Sequence, residues 1–224
     1  MGSVAACAAA LAGGMALGWA HGAETAPDTA VAAASTLTPV EGDAEPAIGV
    51  TQAPSFEAEP YEGKVYAIGD SVLAGAEPCL TKLGYVVSAR QSRQVTAGLD
   101  VVRDKGKRLP ARVLVHLGTN GGATREDLDE IMGALGTQRL VVWATIQLPD
   151  DPSRYTYEER TNAAIEELAG RYANVRILDW NALTQQFPEW LYLEGIHMTP
   201  EGCAGYARVV DGLVRAPSPF GNTT

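Results

Sequence analysis

The segment KVYAIGDSV, residues 64–72, decides how this chain folds. Apolar residues run up to Gly69, and Asp70 and Ser71 follow side by side. A short apolar run that ends at a glycine predicts a buried strand, and the polar pair after it predicts a turn into a helix. The Ser71 hydroxyl could simply cap that helix, or the turn could hold it out for nucleophilic chemistry.

Four later segments have the same character as this first strand. Each is short and almost continuous in Val, Ile and Leu, which is typical of parallel strands that helices cover on both faces. The five predicted strands span residues 64–69, 85–89, 112–118, 139–146 and 175–180.

Helical signals occupy the segments between and after these strands. Apolar residues at i, i+3, i+4 and i+7 spacing indicate a buried helix face. These residues are Leu128, Ile131, Met132 and Leu135, ended by Gly136, and, in the last helix, Tyr206, Val209, Val210 and Leu213. Helix starts are predicted at Thr124 with Asp127, at Thr156 with Glu159, and at Thr199 with Pro200. Five strands alternating with helices predict a doubly wound, three-layer α/β fold with the flavodoxin-like strand order 2-1-3-4-5.

Three polar clusters fall where strands of such a sheet end, or in the loops beside those ends. They are GDS at residues 69–71, GTNGG from Gly118 to Gly122, and EGIHMTP from Glu194 to Pro200. Ligands of doubly wound sheets bind outside the carboxyl ends of the strands. We therefore expect the three clusters to meet in one site.

A serine nucleophile at Ser71 needs a base, and the predicted domain has two histidines. His116 lies inside an apolar strand, which favours a core imidazole. His197 lies in a polar loop beside Glu194, which could orient its ring or could be no more than a solvated loop acid. The Asn120 amide could donate to an oxyanion, although an Asn in a glycine-flanked turn is usually there for backbone reasons.

The ordered set GDS, GTN and GIHMTPEG resembles the SGNH, or GDSL-type, hydrolase superfamily over about residues 61–215. It is most similar to the extracytoplasmic domains of O-acetyltransferases that modify peptidoglycan and other surface sugars. The resemblance implies that Ser71 is the acyl-accepting nucleophile, that His197 is its base, and that Asn120 and the Ser71 N–H form the oxyanion hole. It also implies a small acyl donor, a carbohydrate acceptor and a membrane acyltransferase domain or subunit as partners.

Two positions depart from the family pattern. The third member of the family's triad is an Asp, whereas this chain has Glu194. The glycine after the second strand, whose N–H joins the oxyanion hole, is replaced here by Ser92. Three functions stay open: a serine esterase or O-acetyltransferase, a general GDSL esterase or lipase, and a weakened or inactive carbohydrate-binding module.

Charge is distributed unevenly along the chain. No Lys or Arg precedes Lys64, whereas eight of the acidic residues do, so 19 acidic and 17 basic residues remain for the body. A nearly neutral body lacks the basic surface that nucleic-acid binding requires. No clustered set of His, Cys and Asp suggests a metal site. We expect a monomer that uses neither metal nor cofactor.

Composition divides the chain into four parts. Residues 1–20 are apolar and predict a signal peptide, a membrane segment that belongs to a longer hydrophobic helix, or an Ala-rich helix of a soluble protein. Residues 21–62 predict a disordered, acidic linker rich in Ala, Pro and Thr. Residues 63–216 are the predicted SGNH domain, and 217–224 are a tail. Export or membrane anchoring would place the domain outside the cytoplasm.

Cysteines and tryptophans leave further alternatives. Cys7 lies in the apolar segment, whereas Cys79 and Cys203 lie in the body and could form a disulfide in an exported protein or remain two buried thiols. The three body tryptophans could form a sugar-binding platform, although core packing is favoured for the first two. They are Trp143, Trp180 and Trp190.

Overall fold

The computed structural model describes residues 60–217, which form a parallel sheet of five strands. The strands are β1 (Val65–Gly69), β2 (Tyr85–Ala89), β3 (Arg112–His116), β4 (Leu140–Ala144) and β5 (Val175–Leu178). Their order is β2-β1-β3-β4-β5, and every neighbouring pair is parallel. The predicted fold class and strand order are confirmed. The predicted segment 1–20, nearly all of the predicted linker and the tail after residue 217 lie outside the described residues.

Seven helices lie on the two faces of this sheet within the described residues. They are α1 (Ser71–Lys82), α2 (Val95–Lys105), α3 (Arg125–Leu135), α4 (Glu158–Glu166), α5 (Leu168–Arg171), α6 (Trp180–Gln186) and α7 (Pro200–Arg215). One core cluster joins one face of the sheet to α1, α6 and α7, and a second joins the opposite face to α2, α3, α4 and α5. Strands β1, β3 and β4 are buried along their whole length, which explains why their sequences are apolar without alternation.

Helix α3 follows its sequence signals closely. Thr124 and Asp127 form a reciprocal capping box, in which the Thr124 side chain accepts from the Asp127 N–H and the Asp127 carboxylate accepts from the Thr124 N–H. The four apolar residues of the predicted stripe are all buried, and Gly136 ends the helix with a positive φ of 74°.

Helix α4 starts differently from the prediction. It begins at Glu158 with Tyr157 as its N-cap, and no side chain caps it, so the predicted capping pair of Thr156 and Glu159 is wrong. Tertiary contacts set the start instead. The Tyr157 hydroxyl donates to the Thr119 carbonyl (2.8 Å), and the Glu158 carboxylate accepts from the Leu148 N–H.

The last helix and Trp190 also correct the sequence-based expectations in part. Helix α7 begins at Thr199 and Pro200 as predicted, and Tyr206 and Val210 are buried. Val209 and Leu213 are only partly buried, because the buried face runs through Cys203, Ala207 and Val214 instead.

Trp190 is 6% exposed and stacks between Phe187 and Trp180, so none of the three tryptophans offers a surface platform.

The domain boundary includes a residue that composition assigned to the linker. Tyr61 is buried, and its N–H donates to the Arg215 carbonyl at 2.9 Å. The Arg215 guanidinium in turn donates to the Tyr61 carbonyl at 2.9 Å. These contacts join the residues before β1 to the end of α7.

A disulfide joins α1 to α7. Cys79 and Cys203 are bonded, with their Cα atoms 6.0 Å apart and a sequence separation of 124. The bridge therefore ties the helix that starts at Ser71 to the helix that follows His197.

Across residues 60–217, every helix is either too short or too polar for a transmembrane span.

Removing this bridge should destabilise the domain. In a Cys7→Ser background, Cys79→Ser together with Cys203→Ser should lower the free energy of unfolding by about 2–4 kcal/mol, because the closed loop is long. Urea unfolding measures the difference, and the parent protein under reducing agent should match the double variant. Equal midpoints for the oxidised parent and the double variant would contradict a structural role for the bridge.

Candidate functional site

Ser71 lies at the turn between β1 and α1. Asp70 is the N-cap of α1, with its carboxylate accepting from the Val72 N–H (3.0 Å) and its own N–H donating to the His116 carbonyl (3.2 Å). Ser71 is thus the first residue of the helix, where a backbone N–H has no acceptor within the helix. At Ser71 the turn therefore presents both a hydroxyl and a backbone N–H that no carbonyl of the helix accepts.

A glycine is required just before this turn because β1 and α1 approach closely. A Cβ atom on Gly69 would lie 2.3 Å from the Leu73 Cβ and 2.8 Å from the His116 carbonyl oxygen. No side chain fits in that space. The glycine of the GDS motif is therefore a packing requirement, beyond the conformational freedom that its place in a turn suggests.

The loop from residue 191 to residue 199 holds Glu194 and His197. An isolated bridge pairs Leu191 with Met198, and the Tyr192 N–H donates to the His197 carbonyl at 2.9 Å. Within this bridge, the Gly195 N–H closes a turn onto the Tyr192 carbonyl at 2.8 Å. The backbone therefore holds Glu194 and His197 on one short, closed loop.

Ser71, His197 and Glu194 form a continuous hydrogen-bonded series. The His197 Nε2 atom lies 3.1 Å from the Ser71 Oγ atom, and its Nδ1 atom lies 2.8 Å from the Glu194 Oε1 atom. The same carboxylate oxygen accepts from the His197 backbone N–H at 2.9 Å. The extra methylene of Glu194 relative to an Asp is thus accommodated without loss of contact.

The charge state of Glu194 suits this geometry. Partial burial acts to raise the pKa of Glu194, but hydrogen bonds from the His197 backbone and ring hold that pKa below its ordinary value. An ionised carboxylate accepts only, so it favours the tautomer in which His197 Nδ1 carries the hydrogen. The Nε2 atom is then free to accept the Ser71 proton. Both side chains are nearly half exposed, at 46% and 45%, so the site is open to solvent.

The loop after β3 brings Asn120 to the same edge of the sheet. Gly118 has a φ of 124°, and the Gly122 N–H donates back to its carbonyl at 3.0 Å. The Asn120 amide donates to the Arg93 carbonyl at 3.4 Å. Because an amide has two hydrogens, one remains for a ligand oxygen.

Comparisons with known proteins found relatives in sequence and solved structures of similar fold. No family model matches the sequence. The O-acetyltransferase OatA of Staphylococcus aureus (strain NCTC 8325 / PS 47) is 30% identical over 140 residues, which cover 60% of this chain and 22% of that protein. The solved C-terminal catalytic domain of the Streptococcus pneumoniae peptidoglycan O-acetyltransferase A (OatA), with a methylsulfonyl adduct, aligns with a TM-score of 0.59 and 23% identity, covering 68% of this chain and 90% of that one. A GDSL-like lipase from Bacteroides thetaiotaomicron aligns with a TM-score of 0.56 and 19% identity, covering 67% and 87%.

These similarities in sequence and fold confirm the resemblance to the SGNH hydrolase superfamily. The chain matches only about a fifth of the length of its curated relatives, 22% for the S. aureus protein. The structure brings to one edge of the sheet the Ser, Asn and His of the motifs that carry this resemblance.

Ser92, where the SGNH pattern predicts a glycine, has a backbone conformation that glycine favours. Its φ is 56°, the only positive φ at a non-glycine residue within 60–217. The Arg93 N–H donates to the Arg90 carbonyl at 3.3 Å, so residues 90–93 form a turn with a positive φ at its third residue alone, which is a type II turn. The serine therefore keeps the turn at the cost of backbone strain.

Two side chains at this edge had no signal in the sequence. Arg93 lies in the SARQSRQ segment among other polar residues, yet its guanidinium is buried against the ends of β1 and β2. Tyr157 holds the loop of Asn120 through the Thr119 carbonyl, 38 residues away in sequence. Neither periodicity nor motif spacing predicts a contact of this kind.

His116 is a core residue, as its place in an apolar strand predicts. Its Nδ1 atom lies 3.0 Å from the Tyr206 hydroxyl, and the two rings stack at 5.6 Å. Complete burial lowers the pKa of His116 to about 3, so its imidazole is neutral.

Within residues 60–217 no group of three or more His, Cys, Asp or Glu side chains is arranged to bind a metal ion.

A polar cavity of about 420 Å³ lies beside the loop of Glu194. It includes Pro149, the residue nearest to the position that a Cβ on Gly195 would occupy. Amide, carboxylate and phenol groups line it, chiefly Gln147, Asp150, Asp151, Tyr155, Glu158 and Gln185. Such a lining suits a ligand with many hydroxyl groups.

Replacing Ser92 by glycine should stabilise the domain by about 0.5–1 kcal/mol, because glycine adopts a positive φ without strain. Gln91→Gly is the matched control: Gln91 is also exposed in the same turn, but its φ is not positive. Urea unfolding should therefore show a gain for the first variant and a small loss for the second. Equal changes in the free energy of unfolding for the two variants would contradict the backbone strain at Ser92.

Asp70 should make stability depend on pH. Burial raises the pKa of Asp70 from 3.8 to about 6, against the lowering effects of the Val72 N–H and of nearby Thr119. The folded state then holds this proton more tightly than the unfolded state. The stabilisation that the Asp70 proton contributes is therefore fully present below about pH 4 and is lost as the pH rises through about 6. This linkage corresponds to roughly 2–3 kcal/mol.

Asp70→Asn keeps a side-chain acceptor for the helix cap and removes the titration. Relative to the parent, its free energy of unfolding should rise by roughly 2–3 kcal/mol between pH 4 and pH 7 in urea titrations. Asp179→Asn, at the exposed N-cap of α6, controls for the loss of a charged cap. A difference from the parent that stays constant with pH would contradict the prediction.

Proposed function

We propose that this chain is the extracytoplasmic catalytic domain of a serine-dependent O-acetyltransferase, or of an acyl-ester hydrolase of the same type, acting on cell-surface carbohydrate. The observation that carries the proposal is the 3.1 Å contact between His197 Nε2 and Ser71 Oγ, with Glu194 on the other side of the ring. The names of its relatives, O-acetyltransferase and peptidoglycan O-acetyltransferase, support acetyl as the acyl group and a glycan as the acceptor.

In the first half of the reaction, the Ser71 oxygen attacks the carbonyl carbon of a small acyl ester, most simply acetyl. The Ser71 proton passes to His197 Nε2 as the new C–O bond forms. The ester C–O bond then breaks, and the leaving oxygen takes the proton from His197. The products are an acyl-Ser71 intermediate and the free alcohol of the donor.

Three donors would stabilise the negative charge that develops on the carbonyl oxygen. They are the N–H of Ser71 at the start of α1, the free hydrogen of the Asn120 amide and the N–H of Ser92. A helix N-terminus and a side-chain amide are both established types of oxyanion donor. Glu194 stabilises the charged imidazole and keeps its ring oriented.

In the second half, an acceptor hydroxyl gives its proton to His197 while its oxygen attacks the acyl carbon. The bond to Ser71 breaks, and the Ser71 oxygen recovers a proton from His197. A sugar hydroxyl as acceptor makes the protein a transferase, and water makes it an esterase. The polar cavity beside Glu194 and the open exposure of the site support a bulky, hydroxyl-rich acceptor.

The proposed setting follows from the parts of the chain around the domain. An apolar segment at residues 1–20 and a linker at 21–62 would attach the domain at 63–216 to a membrane acyltransferase domain or subunit. The disulfide supports a location outside the reducing cytoplasm. We propose a monomeric domain that works without metal, cofactor or nucleic acid.

Ser71→Ala should lower kcat for acetyl-ester hydrolysis by about 10⁴-fold or more, since the nucleophile is lost. Thr81→Ala, an exposed change on the same helix, should keep the parent rate. The assay pairs a chromogenic acetyl ester with mass analysis of glycan oligosaccharides. An acetylated oligosaccharide supports transfer, and free acetate alone indicates a general esterase. Equal background rates for the parent and Ser71→Ala on all esters would overturn the proposal in favour of a binding module.

A further inference from the structure

The Arg93 guanidinium lies at the carboxyl ends of β1 and β2. Its Nη1 atom donates to the Gly69 carbonyl at 2.9 Å and also to the Ser88 carbonyl, and its Nη2 atom lies 3.4 Å from the Ser88 hydroxyl. Arg93 is only 7% exposed. A single planar group therefore bridges the ends of two neighbouring strands, one of which leads directly into Asp70 and Ser71.

The backbone of Arg93 contacts the other two loops of the site. Its N–H donates to the Arg90 carbonyl and closes the turn that contains Ser92. Its carbonyl accepts from the Asn120 amide at 3.4 Å. One residue thus makes direct hydrogen bonds to the segment before Ser71, to the turn of Ser92 and to Asn120.

The hydrogen bonds that the guanidinium makes are to neutral oxygens, two carbonyls and a hydroxyl. Burying a cation in this way costs desolvation energy, and burial lowers the pKa of Arg93 although the group stays charged. Lysine could not replace these contacts fully, because its ammonium lacks the planar fork that bonds two acceptors at fixed geometry.

We infer that Arg93 is a positioning residue of the proposed acyl transfer: it holds the Ser92 N–H and the Asn120 amide in place relative to Ser71, so that the three donors converge on one oxyanion. The inference rests on the proposed function. Arg93 acts through its neighbours, so its loss should weaken stabilisation of the transition state more than binding of the ester.

Arg139 provides a matched control at the opposite end of the sheet. It precedes β4, is also 7% exposed, and its guanidinium donates to backbone carbonyls of Gly106, Leu109 and Leu135. Burial lowers its pKa as well. Arg93 and Arg139 therefore make the same kind of buried contact, but only Arg93 lies at the proposed site.

The experiment compares Arg93→Met, Arg93→Lys and Arg139→Met in the full chain. Each is assayed for kcat and KM with a chromogenic acetyl ester at a temperature equally far below its own melting midpoint. Arg93→Met should lower kcat by about 10- to 100-fold with KM nearly unchanged. Removing one oxyanion donor lowers kcat by about 10²–10³-fold, and here the donors are displaced rather than removed, so the loss should be smaller. Arg139→Met should stay within about 3-fold of the parent at a similar loss of stability, because it leaves the donors in place. Arg93→Lys should fall between the parent and Arg93→Met.

Several results would overturn the inference. They are an equal loss of kcat in Arg93→Met and Arg139→Met, a loss confined to KM, or full activity in Arg93→Met. If Arg93→Met does not fold, the comparison moves to Arg93→Lys and Ser88→Ala, which remove only part of the contact set, and parent kcat in both would equally reject it. A parent no faster than Ser71→Ala would instead reject the proposed function, so the two failures are distinguishable.

Discussion

The close approach of β1 to α1 at Gly69 is the constraint on which the site depends. With no space for a Cβ atom there, the chain passes directly from a buried strand into a helix, and Ser71 becomes the first helical residue. The Asp70 carboxylate must then cap the helix from a fully buried position, which accounts for its raised pKa. Every other group at the site is arranged around this one turn.

The remaining groups reach Ser71 from loops that belong to different parts of the chain. His197 and Glu194 come from the loop that precedes α7, which lies on the same face of the sheet as α1. The helix packing and the disulfide between Cys79 and Cys203 join the two helices behind the catalytic candidates. This covalent and packed attachment of α7 to α1 helps to keep the imidazole of an exposed loop 3.1 Å from a hydroxyl.

The site combines a buried support with an open surface. Asp70 and Arg93 are buried below it, whereas Glu194 and His197 are nearly half exposed. Preorganised donors function best when their supports cannot move, and an open surface admits a large acceptor. This division suits a domain proposed to pass an acyl group to a polymer rather than to enclose a small substrate.

The sequence by itself determined the α/β class, the strand order and the residues that could carry the chemistry, because buried parallel strands and short motifs leave local patterns. Tertiary structure alone decided the contacts of Arg93, the role of Tyr157 at the start of α4, the burial of Trp190 and the inclusion of Tyr61 in the domain. These features join residues that are far apart in the chain or depend on which face a side chain meets. No local period or spacing encodes such contacts, since they exist only after the sheet has brought its loops to one edge.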